Sequence, residues 1–164
     1  MCKRILLIAT GGTIAARKTE NGLAPRLRAE ALLDFVPEIQ TLCRVTVIQL
    51  CELDSTDITP DIWLKITDCI EQNYAQYDGF VLTHGTDTLA FTAAALSYLI
   101  QESEKPVVLT GAQNPIDTGG SDAPKNLFDA FLYAVSGAGG VSVVFGGRVI
   151  ASTHAKKLYT RSAA

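Results

Sequence analysis

The sequence predicts an α/β domain in which a mostly parallel sheet is flanked by helices, a three-layer arrangement of the flavodoxin or Rossmann kind. Three observations predict it. Short β-rich runs at residues 4–9, 45–50, 80–83, 107–110 and 141–145 alternate with longer segments of helical period, the pattern of strands joined by crossover helices. A chain of 164 residues is long enough for one domain that buries roughly two thirds of its unfolded surface. Its composition, 48% hydrophobic and 19% charged without a polar low-complexity tract, is that of an ordinary globular protein.

Taken in order, residues 4–9 form an apolar strand that runs into Thr10-Gly11-Gly12-Thr13. Residues 17–28, "RKTENGLAPRLR", hold charge, an Asn-Gly pair and a proline, so a mobile surface loop is expected there. The strand at 45–50 leads to "CELDSTD". Residues 59–74 are the clearest helix, with Thr59 as N-cap, Pro60 at the first helical position, and Ile62, Ile66, Cys69 and Ile70 on one face. The strand at 80–83 ends in "THGTDT". It precedes residues 88–100, apolar nearly all round, which implies a helix buried on both sides or facing a subunit partner. The strand at 107–110 ends in "TGAQNP". Residues 121–136 then read as a helix with Ser121 as N-cap, an apolar face at Leu127, Phe128, Phe131, Leu132 and Val135, and Gly137 as its stop.

Charge narrows the function. The net charge is −3 and the fourteen basic residues are scattered, so no stripe exists to neutralise a row of phosphates and no nucleic-acid partner is expected. Met1-Cys2-Lys3-Arg4 has the look of a positively charged leader, but the apolar run at 5–9 is too short for a signal sequence. A cytoplasmic protein without a membrane partner is therefore expected. Cys2, Cys43, Cys51 and Cys69 show no CxxC or ligand spacing and are expected to be free, buried thiols.

In an open parallel sheet, ligands bind beyond the carboxyl ends of the strands. Four strands here deliver "ATGGT", "CELDSTD", "THGTDT" and "TGAQNP" to that edge. Each alone is ordinary turn chemistry; together they indicate a cleft. "GGTIAA" lacks the GxGxxG spacing and no GxxxxGK[ST] occurs, so a nucleotide site is weakly supported. His84 and His154 are the only histidines and lack carboxylates at ligand spacing, so no metal is expected. Hydroxyl chemistry remains. A threonine oxygen attacks only when a base takes its proton and backbone N–H groups stabilise the oxyanion. Asp87, at a helix start, is a candidate carboxylate, and Lys156 and Lys157 are candidate bases.

These stretches resemble a known family. "ATGGTIA" at 9–15, "DSTDITP" at 54–60, "DGFVLTHGTDTLAFTAAALS" at 78–97 and "KPVVLTGAQNP" at 105–115 are similar to bacterial-type L-asparaginase, in its cytoplasmic type I branch. The resemblance implies hydrolysis of L-asparagine to L-aspartate and ammonia through an acyl-enzyme on Thr13, without a cofactor. It implies Thr86, Asp87 and a lysine as the second catalytic group, with Lys156 the aligned lysine and Lys157 its fallback. It also implies Asp54, Ser55 and Thr56 as the grip on the α-carboxylate. Asp87 would hold the α-amino group, Gly12 and Gly85 would line the substrate, and the Ala112 backbone would face the reacting amide. Thr10 is then structural.

Two departures stand out. Leu23 occupies the place where many members carry a loop tyrosine. Family members also run roughly twice this length and work as dimers or tetramers, so residues 1–164 read as the N-terminal catalytic domain, with the C-terminal domain absent from this chain. The ending "HAKKLYTRSAA" reads as a cut. Two alternatives follow: a non-catalytic isolated domain, or a glutamine-using amidotransferase component with a partner protein and transfer RNA. Asparagine and glutamine differ by one methylene, worth about 1 to 3 kcal/mol in a pocket, so the motifs imply the amide class with either substrate.

Overall fold

A computed structural model describes residues 2–19, 22–25 and 27–158, with the backbone alone at 17–19 and 22–25. In chain order the elements are β1 (Lys3–Gly11), β2 (Ala16–Thr19), β3 (Gly22–Pro25), α1 (Ala29–Asp34), α2 (Ile39–Leu42), β4 (Cys43–Leu53), α3 (Pro60–Asn73) and β5 (Gly79–Thr83). They continue as α4 (Leu89–Leu99), β6 (Pro106–Thr110), α5 (Ala123–Ser136), β7 (Gly140–Phe145) and β8 (Arg148–Ala151). The main sheet has the order β4-β1-β5-β6-β7-β8, parallel throughout except for β8. Its five parallel strands follow the flavodoxin order 2-1-3-4-5, which places a topological switch point between the first and third strands, here β1 and β5.

Two cores form because successive side chains of a strand point to opposite faces. Ile5, Leu7, Val81 and Val108 lie on one face with Leu32 of α1, Ile39 of α2, and Leu127 and Phe131 of α5. Leu6, Ile8, Phe80, Leu82 and Leu109 lie on the other with Ile66 and Ile70 of α3 and Leu89, Ala93 and Leu96 of α4. Both faces are covered, which is why β1, β5 and β6 read as continuous apolar runs.

All five expected strands and three expected helices are present, with differences that have physical causes. The loop expected at 17–28 pairs its backbone as an antiparallel hairpin, Ala16 opposite Pro25 and Thr19 opposite Gly22; the side chain of Leu23 lies outside the described residues. β8 is an addition to the expected strands. It folds back on β7 through Gly146 (φ 58°) and Gly147 (φ 73°), the backbone that a two-residue hairpin turn requires and glycine supplies. α5 is capped by Asp122 rather than Ser121, although Ser121 Oγ still accepts the Ala123 N–H at 3.0 Å. α4 buries one face only: Phe91 and Tyr98 are exposed. Of the four thiols Cys43 and Cys69 are buried, whereas Cys2 is exposed and Cys51 half-buried. Burial, with a smaller contribution from Cys2, pushes the Cys43 thiol up to about 11.

Candidate active site

Four strand-end turns meet near the switch point, packed closely because three of them place a glycine at the contact. A Cβ built on Gly12 would stand 2.3 Å from the Gly85 nitrogen, and one on Gly85 would stand 2.7 Å from Ser55 Cβ. A Cβ on Gly111 would lie 2.3 Å from the His84 carbonyl oxygen, which brings the turn after β6 against the same place. Gly12 also has φ 78°, which only glycine adopts at little cost. One residue beyond the Gly12–Gly85 contact stand Thr13, half-buried at the start of a 3-10 turn, and Thr86, also half-buried.

Hydrogen bonds give the residues of this edge different work. Thr10 is buried and its Oγ1 donates to the Thr83 carbonyl at 2.9 Å. Asp54 caps the 3-10 turn Ser55–Asp57, accepting the Thr56 N–H at 2.9 Å and Thr56 Oγ1 at 2.8 Å on one carboxylate oxygen. Ser55, 3% exposed, accepts the Asp87 N–H on Oγ at 3.2 Å, and its carbonyl accepts Thr88 Oγ1 at 2.5 Å. Ser55 Oγ thus keeps its own proton for an acceptor, whereas Asp54 and Thr56 are engaged with each other. Ala112 is buried.

Lys157 joins Thr86 and Asp87. Its Nζ donates to Thr86 Oγ1 at 2.7 Å and to Asp87 Oδ1 at 2.7 Å, and the Asp87 carboxylate is half exposed. The lysine that meets Thr86 and Asp87 is thus Lys157, the fallback of the two expected lysines. After the 3-10 turn Ser152–His154 the backbone becomes extended at Ala155, and adjacent side chains of an extended chain point to opposite sides. Lys156 is exposed and lines the same groove as Thr86 and Lys157.

His84 has a part that its sequence context does not announce. It is buried, with Nδ1 2.7 Å from the Gly85 carbonyl and Nε2 2.9 Å from Thr92 Oγ1. A carbonyl only accepts, so Nδ1 carries a proton. Burial lowers the His84 pKa against the opposing pull of the Gly85 bond, so Nε2 is the acceptor and Thr92 donates to it. Thr92 Oγ1 in turn accepts Trp63 Nε1–H at 2.9 Å. The chain Trp63, Thr92, His84, Gly85 runs from α3 through α4 to the turn that Gly12 touches. Its one trace in the sequence is a histidine without carboxylate partners in an apolar setting.

Beside Thr86 and Lys157 opens a groove of about 440 Å³ walled by Leu89, Phe145, Ile150 and Leu158. Among the described residues no three His, Cys, Asp or Glu side chains come together as ion ligands would. No described helix is long and apolar enough to cross a membrane.

Comparison with known proteins bears on this geometry. The family described as "Asparaginase, N-terminal" matches residues 4–164. The L-asparaginase of Thermococcus kodakarensis is 39% identical over 158 residues, covering 96% of this chain and 48% of its own. A solved structure of the thermostable L-asparaginase from that organism has a TM-score of 0.91 at 38% identity, covering 98% of this chain and 49% of its own. The structure described as a probable cytoplasmic L-asparaginase from Campylobacter jejuni has a TM-score of 0.89 at 33% identity, with coverage of 98% and 50%. A glutamyl-tRNA(Gln) amidotransferase component of Thermococcus kodakarensis is 41% identical over 147 residues, covering 87% of this chain and 33% of its own. The probable periplasmic L-asparaginase of Haemophilus influenzae is 35% identical over 163 residues, 95% of this chain and 46% of that one. The chain thus spans about half the length, or less, of these relatives.

Proposed function

The chain belongs to the asparaginase family, matched by the N-terminal part of that family, and from this premise we propose that it hydrolyses L-asparagine to L-aspartate and ammonia. Residues 1–164 act as the N-terminal catalytic domain, and a C-terminal domain outside this sequence completes the site. The half-length coverage of relatives supports that division. The observation that carries the reading is the Thr86–Asp87–Lys157 cluster, joined across 70 and 71 residues of sequence at the switch point where Thr13 begins its turn.

In the first half-reaction Thr13 Oγ1 attacks the side-chain amide carbon. The C–N bond breaks, ammonia leaves with the hydroxyl proton, and an ester remains on Thr13. Backbone N–H groups near Gly12 and the loop bearing Ala112 face the oxyanion. In the second half, water attacks that ester. Thr86 Oγ1 takes a proton from the water as its own is relayed to the departing Thr13 oxygen, with Lys157 and Asp87 holding Thr86 in place; the ester C–O bond breaks, L-aspartate leaves and the Thr13 hydroxyl is restored. Ser55 supplies a hydroxyl proton to the substrate α-carboxylate and Asp87 a carboxylate oxygen to its α-amino group. Asp54 and Thr56 build the turn that presents Ser55.

The uncharged outer face of α4, with Phe91 and Tyr98 exposed, supports assembly into a homo-oligomer. The Campylobacter jejuni neighbour described as a probable cytoplasmic L-asparaginase supports a cytoplasmic location, and the periplasmic relative marks the competing one. The likeness to the amidotransferase component favours a second reading, in which ammonia passes to a partner acting on transfer RNA.

Ammonia release from L-asparagine and L-glutamine by wild-type and Thr13→Ala protein tests the proposal. Release by the wild type and its loss in Thr13→Ala are expected. Equal release by both would sink the nucleophile. Ammonia formed only when an amidotransferase partner is present would favour the second reading. Silence that ends on adding a C-terminal domain would show that residues 1–164 are inactive in isolation and need that domain to complete the site.

A further inference from the structure

Two side chains at the start of α5 hold the loop after β6, and no part of the proposed mechanism uses them. The Asp122 carboxylate accepts the Gln113 N–H on both oxygens, at 3.1 and 3.0 Å, and the Asn114 N–H at 3.0 Å. It also accepts Asn126 Nδ2 at 3.1 Å. Asn126 is 1% exposed. The same Nδ2 donates to the Gly111 carbonyl at 3.0 Å, and Asn126 Oδ1 accepts the Gly146 N–H at 2.9 Å.

The consequence is geometric. Gly111 and Gln113 flank Ala112, so the residue set against the reacting amide is clamped on both sides by one carboxylate–amide pair. Gly146 belongs to the β7–β8 turn, and Gln113 and Gly146 line the same groove as Thr86 and Lys157. Asn126 therefore ties together two loops that line the groove beside Thr86 and Lys157. Such bonds made to a carboxylate are about twice as strong as neutral ones. A buried amide that uses both its donor and its acceptor has no second arrangement open to it.

We propose that Asp122 and Asn126 are positioning residues for amide hydrolysis: they hold the loop Gly111–Asn114 at a fixed place relative to Thr86 and Lys157, and act on the chemical step through Ala112 rather than on binding. The inference rests on the asparaginase reading above. It separates this pair from Ser55 and Asp87, which would bind the α-carboxylate and α-amino groups and so govern KM. A displaced reacting carbon costs rate even when the substrate is still held, because proximity falls steeply with misplacement.

Asp122→Asn tests it. The substitution keeps the shape but turns an NH2 group toward the Gln113 N–H or toward Asn126 Nδ2, a donor facing a donor. Expected are a fall in kcat of about tenfold or more with KM within about twofold of wild type, and faster amide hydrogen exchange at Gln113 and Asn114. Asn126→Asp should act on the same kcat and speed exchange at Gly146. Asp122→Asn keeps the test open if Asn126→Asp fails to fold. A kcat within twofold of wild type despite faster exchange overturns the inference, as does a rise in KM that accounts for the whole loss. The assays are run with a C-terminal domain supplied where residues 1–164 alone are silent; a wild-type protein that releases no ammonia even then overturns the reaction itself before any substitution is made, and the catalytic role of the pair falls with it.

Discussion

Replacing Gly12 with alanine should be far more costly than the loss of a turn glycine usually is. Two costs add. At φ 78° and ψ −179° the residue sits in a region that is essentially reserved for glycine, and an L side chain there costs about 1 to 3 kcal/mol. The added Cβ would also stand 2.3 Å from the Gly85 nitrogen and 2.4 Å from its Cα. These are backbone atoms, with no flexible side chain to give way, so overpacking adds about 1 to 3 kcal/mol. The sum, about 2 to 6 kcal/mol, lowers the thermal midpoint of a domain this size by about 4 to 24 °C at roughly 2 to 4 °C per kcal/mol. Gly137 is the internal control. It ends α5 at φ 81° with open space around its missing Cβ, so Gly137→Ala meets only the left-handed penalty of about 1 to 2 kcal/mol. Thermal unfolding of the two variants, followed by circular dichroism, reads the contact cost by difference. Midpoints within about 2 °C of each other would refute the claim that the turns after β1 and β5 are in backbone contact.

Lys157→Met should lower ammonia release by about 10² to 10⁴, the range for a lost proton transfer, here the one at Thr86, while Lys156→Met stays within about twofold; the reverse order in kinetic assays would return the role to Lys156. His84 is held neutral by burial, so its folded pKa lies below its unfolded value near 6.5. Its stabilisation is fully present above that value and is lost as pH falls toward the folded pKa, at no more than about 1.4 kcal/mol per pH unit. Melting curves from pH 7.5 to 5 should show a slope that His84→Gln removes, and an equal slope in both proteins would clear His84 of it. Thr83 Oγ1 is a buried side-chain oxygen with no hydrogen-bond partner among the described residues, a state that costs about 1 to 3 kcal/mol. Thr83→Val should therefore raise the midpoint; a raised midpoint with ammonia release reduced tenfold would show that the hydroxyl serves the reaction, and a lowered midpoint would mean that it has a partner in solution.

β1, β5 and β6 are legible because each is an apolar run buried on two faces, and α3 because Pro60 and the spacing of Ile62, Ile66, Cys69 and Ile70 fix its start and inner side. The hairpin of β2 and β3 is not, since charge and an Asn-Gly pair mark an exposed loop and a solvent-facing hairpin equally well. β8 leaves a faint trace, two glycines at Gly146 and Gly147 between short apolar stretches, but a glycine pair after a parallel strand fits a plain loop as well as a reversal. Asp122 shows a subtler limit. Its place near a helix start is that of a capping residue, yet its carboxylate reaches back to Gln113 and Asn114, and no local pattern encodes which earlier loop a cap will meet.

Lys157 shows why the last member of the proposed catalytic set is the hardest to find. Thr13, Ser55, Thr86 and Ala112 each follow closely on a parallel strand, so strand prediction alone delivers them to the carboxyl edge. Lys157 does not. β8 leaves that edge antiparallel to β7, four residues long, and the 3-10 turn Ser152–His154 follows. The extended residues after it bring the lysine back to Thr86 and Asp87 at the start of α4. Its position depends on a reversal, a turn and a return, and an error of one residue anywhere along that path exchanges Lys156 for Lys157. The resemblance narrows the choice to two adjacent lysines; the hydrogen bonds to Thr86 and Asp87 favour Lys157.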